Sequence, residues 1–284
     1  MSKRPVLRPD SIRRRSRSAR PKKQLGQFFL RDKSIAARIA AEIQPGRLLV
    51  EVGPGDGSLT DELLKLDHRV VGVELDPDMV KRLERRFQHR RDLRLVSGSI
   101  LKLDWMEFDR SGESLAIVGN LPYHLTSPIL FNIFEMVRQG RPRIEECVIM
   151  VQREVGLRLA AEPGNKDYGS LTLLTQYHGR AEYLFTVPAA SFYPVPGVDG
   201  GVIRIKFHAP AELPDVDYDA FRRIVRGCFA QRRKMMRNAI GVVGDLPEGW
   251  KDLDFNFLLR PEQFSLADFL RLTGALIALN LKSI

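Results

Sequence analysis

The chain has 284 residues, 44% of them hydrophobic, two cysteines and a formal net charge of +10. This length and apolar content allow one substantial core and a small second domain; the longest apolar runs are too short to span a bilayer, and no signal-like run follows the N-terminal charges. Cys147 and Cys228 each sit in an apolar pattern with neither a disulfide framework nor metal-ligand spacing, so a reducing compartment and no metal are expected.

The charge is unevenly placed. Residues 1–23 hold ten Lys or Arg against one acid, Asp10, so this tail carries +9 and leaves the rest of the chain at +1. Such a run reads as a solvated, disordered tail, as a direct phosphate binder, or, being Arg- and Ser-rich and poor in acids, as a mitochondrial transit peptide. Next, Ser34 is the expected N-cap of a helix carrying Ile35, Ile39 and Ile43, which Pro45-Gly46 stops. Leu48 to Val52 reads as a buried strand and Gly53-Pro54-Gly55-Asp56-Gly57 as a tight turn. Ser58 to Leu66 then reads as a helix and Arg69 to Leu75 as a second strand, which completes a βαβ unit.

Further strands are expected at Leu93 to Ser97, Leu115 to Gly119, Cys147 to Val151, Glu182 to Val187 and Val202 to Phe207. Seven strands with intervening helices imply an α/β fold with a doubly wound sheet. Beyond His208, the Pro-containing segment through Pro214 reads as a linker into a helical domain of about 70 residues. The expected organisation is therefore a basic tail over 1–23, a sheet domain over 24–207 and a small C-terminal helical domain over 208–284.

Within that last domain, residues 220–240 carry Arg222, Arg223, Arg226, Arg232, Arg233, Lys234 and Arg237 and no acid. At 100° per residue, Arg222, Arg226, Arg233 and Arg237 fall within about 60° of one another on a continuous helix. Phe221, Val225, Cys228 and Phe229 supply the face that such a helix would bury. An ordinary solvated helix face interleaves both signs, and here one sign is missing, which favours phosphate contact.

The glycine turn narrows the cofactor. Gly53, Gly55 and Gly57 follow G-x-G-x-G rather than the G-x-G-x-x-G of dinucleotide folds, with Ser58 where the third dinucleotide glycine would stand, and this disfavours NAD. Glycines let the backbone approach a nucleoside and an amino-acid moiety closely. Glu74, ending the second strand, can accept hydrogen bonds from both ribose hydroxyls, and an acid there suits a cationic sulfonium cofactor. A plain turn with Glu74 capping a loop is the alternative.

Asn120-Leu121-Pro122-Tyr123 follows the fourth strand, at the carboxyl edge where open α/β sheets place ligands. Adenine N6 is a poor nucleophile because its lone pair is delocalised into the ring. An Asn side-chain oxygen and a neighbouring backbone carbonyl can accept its two N–H groups and free the lone pair for attack on a methyl group. Pro122 fixes the turn and removes a competing donor, while Tyr123 offers a face on which an extruded base stacks. An isolated tetrapeptide of this kind is more often an Asx turn; its position after strand four is what gives it weight.

With these residues in place, the sequence resembles the ribosomal RNA adenine N6-dimethyltransferases of bacteria, whose archaeal, eukaryotic and organellar relatives share the motifs. The likeness runs from Gln24 to Leu281 and includes Gly26-Gln27-Phe28-Phe29-Leu30, Val50-Glu51-Val52-Gly53-Pro54-Gly55, Gly119-Asn120-Leu121-Pro122-Tyr123, Tyr168-Gly169-Ser170-Leu171 and Gln231-Arg232-Arg233-Lys234. It implies a Rossmann-like class I methyltransferase fold with S-adenosylmethionine as cofactor. The implied reaction is dimethylation of two adjacent adenosines in a hairpin near the 3′ end of small-subunit (16S) rRNA, during late subunit assembly; separately, a cytoplasmic location and a monomer are expected. The resemblance also implies that Leu30, Gly53, Glu74 and Asn120 contact the cofactor, and that Phe192, in Ser191-Phe192-Tyr193-Pro194, stacks on the target base opposite Tyr123. Read without it, a lone Phe192 belongs to a core.

Three positions depart from the family pattern. Phe28 replaces the usual Asn, Ser99 stands where an Asp reads the cofactor's adenine amine, and His124 follows the tyrosine in place of Asn. Phe28 and Ser99 touch the cofactor site; Ser99 still accepts a hydrogen bond but lacks charge assistance, an expected loss of about 1 to 2 kcal/mol. His124 reads as a turn residue rather than a base, because the departing N6 proton is acidic once the nitrogen is alkylated. The expected cofactor set is thus Phe28, Leu30, Gly53, Gly55, Glu74, Ser99 and Asn120. The catalytic set is Asn120, Leu121, Pro122, Tyr123 and Phe192, and the RNA-binding set Arg222, Arg226, Arg233, Lys234 and Arg237. Rival readings are a resistance-type methyltransferase of large-subunit rRNA, a DNA adenine methyltransferase, which more usually carries two prolines in the motif, and an RNA-binding assembly factor without turnover.

Overall fold

A computed structural model describes residues 26–111 and 113–280, so the basic tail at 1–23 lies outside the described residues. Seven strands form one sheet: β2 (Leu48–Val52), β3 (Arg69–Glu74), β4 (Leu93–Ser97), β5 (Leu115–Asn120), β6 (Ile144–Gln152), β7 (Gly179–Val187) and β9 (Gly200–Phe207). Their spatial order is β4-β3-β2-β5-β6-β9-β7, with β9 antiparallel to both neighbours and every other pairing parallel. All seven expected strands are present, most with the expected bounds to within one or two residues. A two-stranded antiparallel ladder stands apart, made by β1 (Phe29–Leu30) and β8 (Phe192–Tyr193). Pairs this short carry no periodic signal of their own, and neither strand is among those expected.

Helices cover both faces: α1 (Lys33–Ala41), α2 (Ser58–Lys65), α3 (Pro77–Arg86), α4 (Thr126–Gln139), α5 (Arg153–Leu159) and α6 (Ser170–His178). Burial on both sides explains the near-continuous apolar runs of the central strands. Leu49, Ala116, Val118 and Val148 face Ile39 of α1, Leu63 of α2 and Leu83 of α3. Their sequence neighbours Val50, Ile117, Cys147 and Ile149 point the other way, onto Ile129, Ile133 and Phe134 of α4. The alternation of side chains along a strand thus gives each residue one of two cores.

The start of α1 differs from expectation. Asp32, not Ser34, is the N-cap: its Oδ1 accepts from the Ser34 backbone N–H at 2.9 Å and from the Ser34 hydroxyl at 2.6 Å. A carboxylate accepts both donors at once, and a hydroxyl that is already donating to it makes the weaker cap.

The C-terminal segment folds as α7 (Tyr218–Ala230), α8 (Met236–Ala239), α9 (Leu266–Ala278) and short 3-10 turns. The expected continuous helix through Arg237 does not form. After Ala230 the chain turns, and the backbone N–H groups of Met236 and Arg237 donate to the carbonyls of Leu259 (2.7 Å) and Phe257 (3.0 Å). Those tertiary bonds replace the intrahelical ones, so Arg222 and Arg226 lie on α7, Arg233 and Lys234 on the turn, and Arg237 on α8. The four arginines therefore do not form one stripe. Phe221, Val225 and Cys228 are buried as expected, against Phe269, Leu272 and Leu276 of α9 and also against Tyr168 and Leu173, Leu174 and Tyr177 of α6.

Candidate active site

A cleft opens at the carboxyl ends of β2, β3, β4 and β5. Its walls bring together Phe28, Gly53, Gly55, Glu74, Ser99, Asn120, Leu121, Pro122 and Tyr123, residues spread over nearly a hundred positions of sequence. The convergence follows from topology, since parallel strands deliver their following loops to one edge. Gly119 makes the closest approach possible: a Cβ there would lie 2.5 Å from the Val52 carbonyl oxygen.

The glycine turn has Gly53, Gly55 and Gly57 at φ +67°, +58° and +81°, a region that L side chains rarely adopt. A Cβ on Gly55 would press on the Phe29 ring at 3.1 Å, whereas the space beside Gly53 is open. Glu74 is 4% exposed, and its two oxygens accept the backbone N–H groups of Gly55 and Asp76, both at 2.9 Å. Burial pushes its carboxyl above the usual range, opposed by those two hydrogen bonds, which favour the charged form. Each oxygen retains a lone pair, so the acid that shapes the loop can also accept two vicinal hydroxyls. Beside it, Ser99 caps a 3-10 turn by accepting the Leu101 N–H at 3.3 Å. An open glycine cradle, a buried acid and a capped turn together fit a nucleoside with an amino-acid tail.

On the opposite wall, the Asn120 Nδ2 donates to the Phe28 carbonyl at 2.7 Å, which leaves Oδ1 as the atom free to accept. The Pro122 carbonyl already accepts from the Leu125 N–H at 2.9 Å and the Thr126 hydroxyl at 3.4 Å. Among the described residues, the Leu121 carbonyl is then the neighbouring acceptor without a donor. The Tyr123 ring stacks on Phe28 at 5.5 Å between centroids, and its hydroxyl is buried without a hydrogen-bond partner among the described residues. Burial, and secondarily the charge of Asp199, raise its phenol above the ordinary value, so it stays neutral. His124 is exposed and packs on Gly26.

Two expected site side chains are not on the walls of this cleft: Leu30 lines a smaller cavity beside it with Gly53, Gly55 and Asn120, and Phe192 lines neither. Leu30 and Phe192 face each other across the β1–β8 ladder and are 5% and 2% exposed, packed in the core shared with α1 and α2. What sequence reasoning missed is the main-chain role at Phe28. A backbone carbonyl orients Asn120, so the change from Asn to Phe at that position leaves the anchor intact, and no sequence signal marks a carbonyl.

Residues 18–248 match the family described as ribosomal RNA adenine dimethylase. The chain belongs to that family. It is an S-adenosylmethionine-dependent rRNA adenine dimethyltransferase. The enzyme is 39% identical over 262 residues to ribosomal RNA small subunit methyltransferase A of Pseudomonas aeruginosa, covering 92% of this chain and 96% of that one. It is 42% identical over 255 residues to the protein of the same name from Porphyromonas gingivalis, covering 89% and 96%. Among solved structures, the 23S rRNA methyltransferase ErmE is 28% identical with a TM-score of 0.57, over 88% of this chain and 99% of that one. A dimethyladenosine transferase from Plasmodium falciparum shares the fold at a TM-score of 0.71 with 23% identity, over 88% and 98%. Among the described residues of the enzyme, no helix is long and apolar enough to cross a membrane.

Proposed function

We propose that the cleft holds both cofactor and target base, and that the enzyme methylates N6 of two adjacent adenosines in a hairpin near the 3′ end of small-subunit rRNA. It does so twice on each base, as a cytoplasmic monomer acting on the late-assembling subunit. The observation that carries the reading is the Asn120 amide, tied through Nδ2 to the Phe28 carbonyl so that Oδ1 and the Leu121 carbonyl make a pair of acceptors across from Glu74. The names of the relatives from Pseudomonas and Porphyromonas point to the small subunit.

S-adenosylmethionine supplies an electrophilic methyl group when Glu74, Gly53, Gly55, Ser99 and Asn120 hold it. The chain's part is to prepare the nucleophile. Oδ1 of Asn120 and the Leu121 carbonyl accept the two N6 hydrogens, which draws the nitrogen toward a tetrahedral geometry and localises its lone pair. Tyr123, backed by Phe28, supplies a stacking face for the extruded base. Phe192 is the second proposed stacking face; it lies beneath the ladder in this conformation and serves only if the short β1–β8 pairing opens. Once N6 is alkylated its proton is acidic and leaves to solvent, so no residue of the cleft is required as a base.

A second reading, methylation of large-subunit rRNA, draws on the likeness to ErmE. Mass spectrometry of adenosines from both ribosomal subunits, each incubated with the protein and labelled cofactor, separates the two. Dimethyladenosine in a 3′-terminal fragment of the small-subunit rRNA is the expected result; label confined to the large subunit would replace the proposal with the second reading.

A further inference from the structure

The ladder of β1 and β8 separates two adjacent aromatics. Side chains alternate along a strand, so Phe192 points inward while its neighbour Tyr193 points out and is 46% exposed. An exposed tyrosine alone is ordinary, but the surroundings of this one are not. The Arg31 guanidinium lies over its ring, 4.3 Å from the centroid. Among the described residues Arg31 has no carboxylate partner. Val195 and Val198 of the same loop are also exposed, and Pro194 and Pro196 remove the backbone donors that would let this edge recruit another strand.

The loop is also joined to the active site at both ends. Tyr193 pairs with Phe29 in the ladder, and Phe29 adjoins Phe28, whose carbonyl holds Asn120 and whose ring stacks on Tyr123. Cross-strand partners and sequence neighbours place the Tyr193 Cα within about 10 Å of the Phe28 Cα. At the other end, the charge of Asp199 reaches Tyr123.

We infer that Tyr193, with Arg31 over its ring, is a stacking platform for the base of a nucleotide next to the target adenosine. The inference rests on the RNA reading proposed above. Extruding an adenosine unstacks its neighbour and exposes a base face to water. An aromatic ring backed by a guanidinium replaces that lost stacking without reading base identity, the way single-stranded nucleic acid is commonly held. A protein partner fits poorly, because one tyrosine and two valines fall far below the area that a stable protein interface buries.

The test uses the full chain and a synthetic RNA hairpin carrying two adjacent adenosines, in three forms: intact, abasic at the 5′ neighbour, and abasic at the 3′ neighbour. Affinity is read by fluorescence anisotropy. Tyr193→Ala should weaken binding of the intact hairpin about tenfold, Tyr193→Phe should restore it, and one abasic form should bind the wild-type and Ala proteins equally. The wild-type protein alone should lose a similar factor on that abasic form, which keeps the test free of any folding defect in a variant. Calorimetric cofactor binding should be unchanged by Tyr193→Ala. Equal affinity of wild-type and Ala proteins for the intact hairpin would overturn the platform, as would an equal loss on all three forms. Failure of the wild-type protein to methylate small subunits would sink the proposed function instead, a result the hairpin titration does not depend on.

Discussion

Glu51 and Ser99 show how single side chains carry chemistry that the motifs only outline. Glu51 is buried under the glycine turn with the Thr60 hydroxyl donating to it at 2.7 Å, and burial pushes its carboxyl up to about 8. Below the unfolded value near 4.5 both states hold the proton and stability is indifferent to it. Between there and about 8 the unfolded chain releases the proton while the native one retains it, so stability falls as pH rises and then levels off. Glu51→Gln keeps an acceptor for Thr60 and removes the charge. It should therefore stabilise the protein at pH 8 by something on the order of 3 kcal/mol, since each tenfold change in proton affinity is worth roughly 1.4 kcal/mol and the surroundings relax around the charged group. Thermal unfolding at pH 4 and pH 8 checks this; an equal gain at both would mean that Glu51 is not neutral in the native state. Ser99 poses the opposite problem, a missing charge. Ser99→Asp preserves the cap on Leu101, since Asp caps as well as Ser, and adds a charge-assisted acceptor in the cleft. Calorimetry should show cofactor binding tightened by up to about tenfold. Weaker binding would mean that Ser99 is already matched to its ligand.

At the level of elements, the strands were legible and the C-terminal helices only partly so. Runs such as Leu48–Val52 are apolar on both sides of the pleat because helices cover both faces, and that pattern depends on nothing distant. The break after Ala230 is different in kind. Residues 231–235 hold neither glycine nor proline, and the helix ends because Met236 and Arg237 donate to Leu259 and Phe257, partners twenty or more positions away. Arg232 reinforces the turn, reaching Glu262 and the Lys166 carbonyl, both at 2.8 Å. Two basic groups therefore replace one stripe. If both touch RNA phosphates, replacing Arg222 and Arg226 with Gln and replacing Arg233, Lys234 and Arg237 with Gln should each flatten the dependence of log affinity on log salt. The expected change is about 0.7 to 0.9 for each phosphate no longer neutralised. Losses from the two sets should add to within about 0.5 kcal/mol, as for independent sites. Filter binding across a salt series decides it. Marked non-additivity would mean that the turn and α7 hold the same phosphates.

Across the whole molecule, charge and core are divided differently from the linear sequence. Most of the net charge resides in residues 1–23, while the rest of the chain is near neutral. A basic tail raises encounter frequency more than it fixes orientation, so its removal should raise the KM for small subunits and leave the single-turnover rate at saturation unchanged. A fall in that saturated rate would assign the tail an orienting role. The core follows another division. The proposed domain boundary falls between residues 207 and 208, yet the cluster around Phe221 draws Tyr168, Leu173, Leu174 and Tyr177 from the segment before it. Tyr177 stacks on Phe221 at 5.2 Å, and α6, which carries it, leads directly into β7 of the sheet. Helices that complete a core begun in the sheet domain have no separate core to melt, so the two parts should unfold together. Phe221→Ala leaves a cavity in that shared cluster and should cost about 3 to 5 kcal/mol. Calorimetry should show one transition, moved as a whole to lower temperature, with cofactor affinity at 25 °C preserved because no residue lining the cleft belongs to that cluster. Two transitions, with only the lower one shifted, would mean that the C-terminal helices fold independently and only dock onto α6.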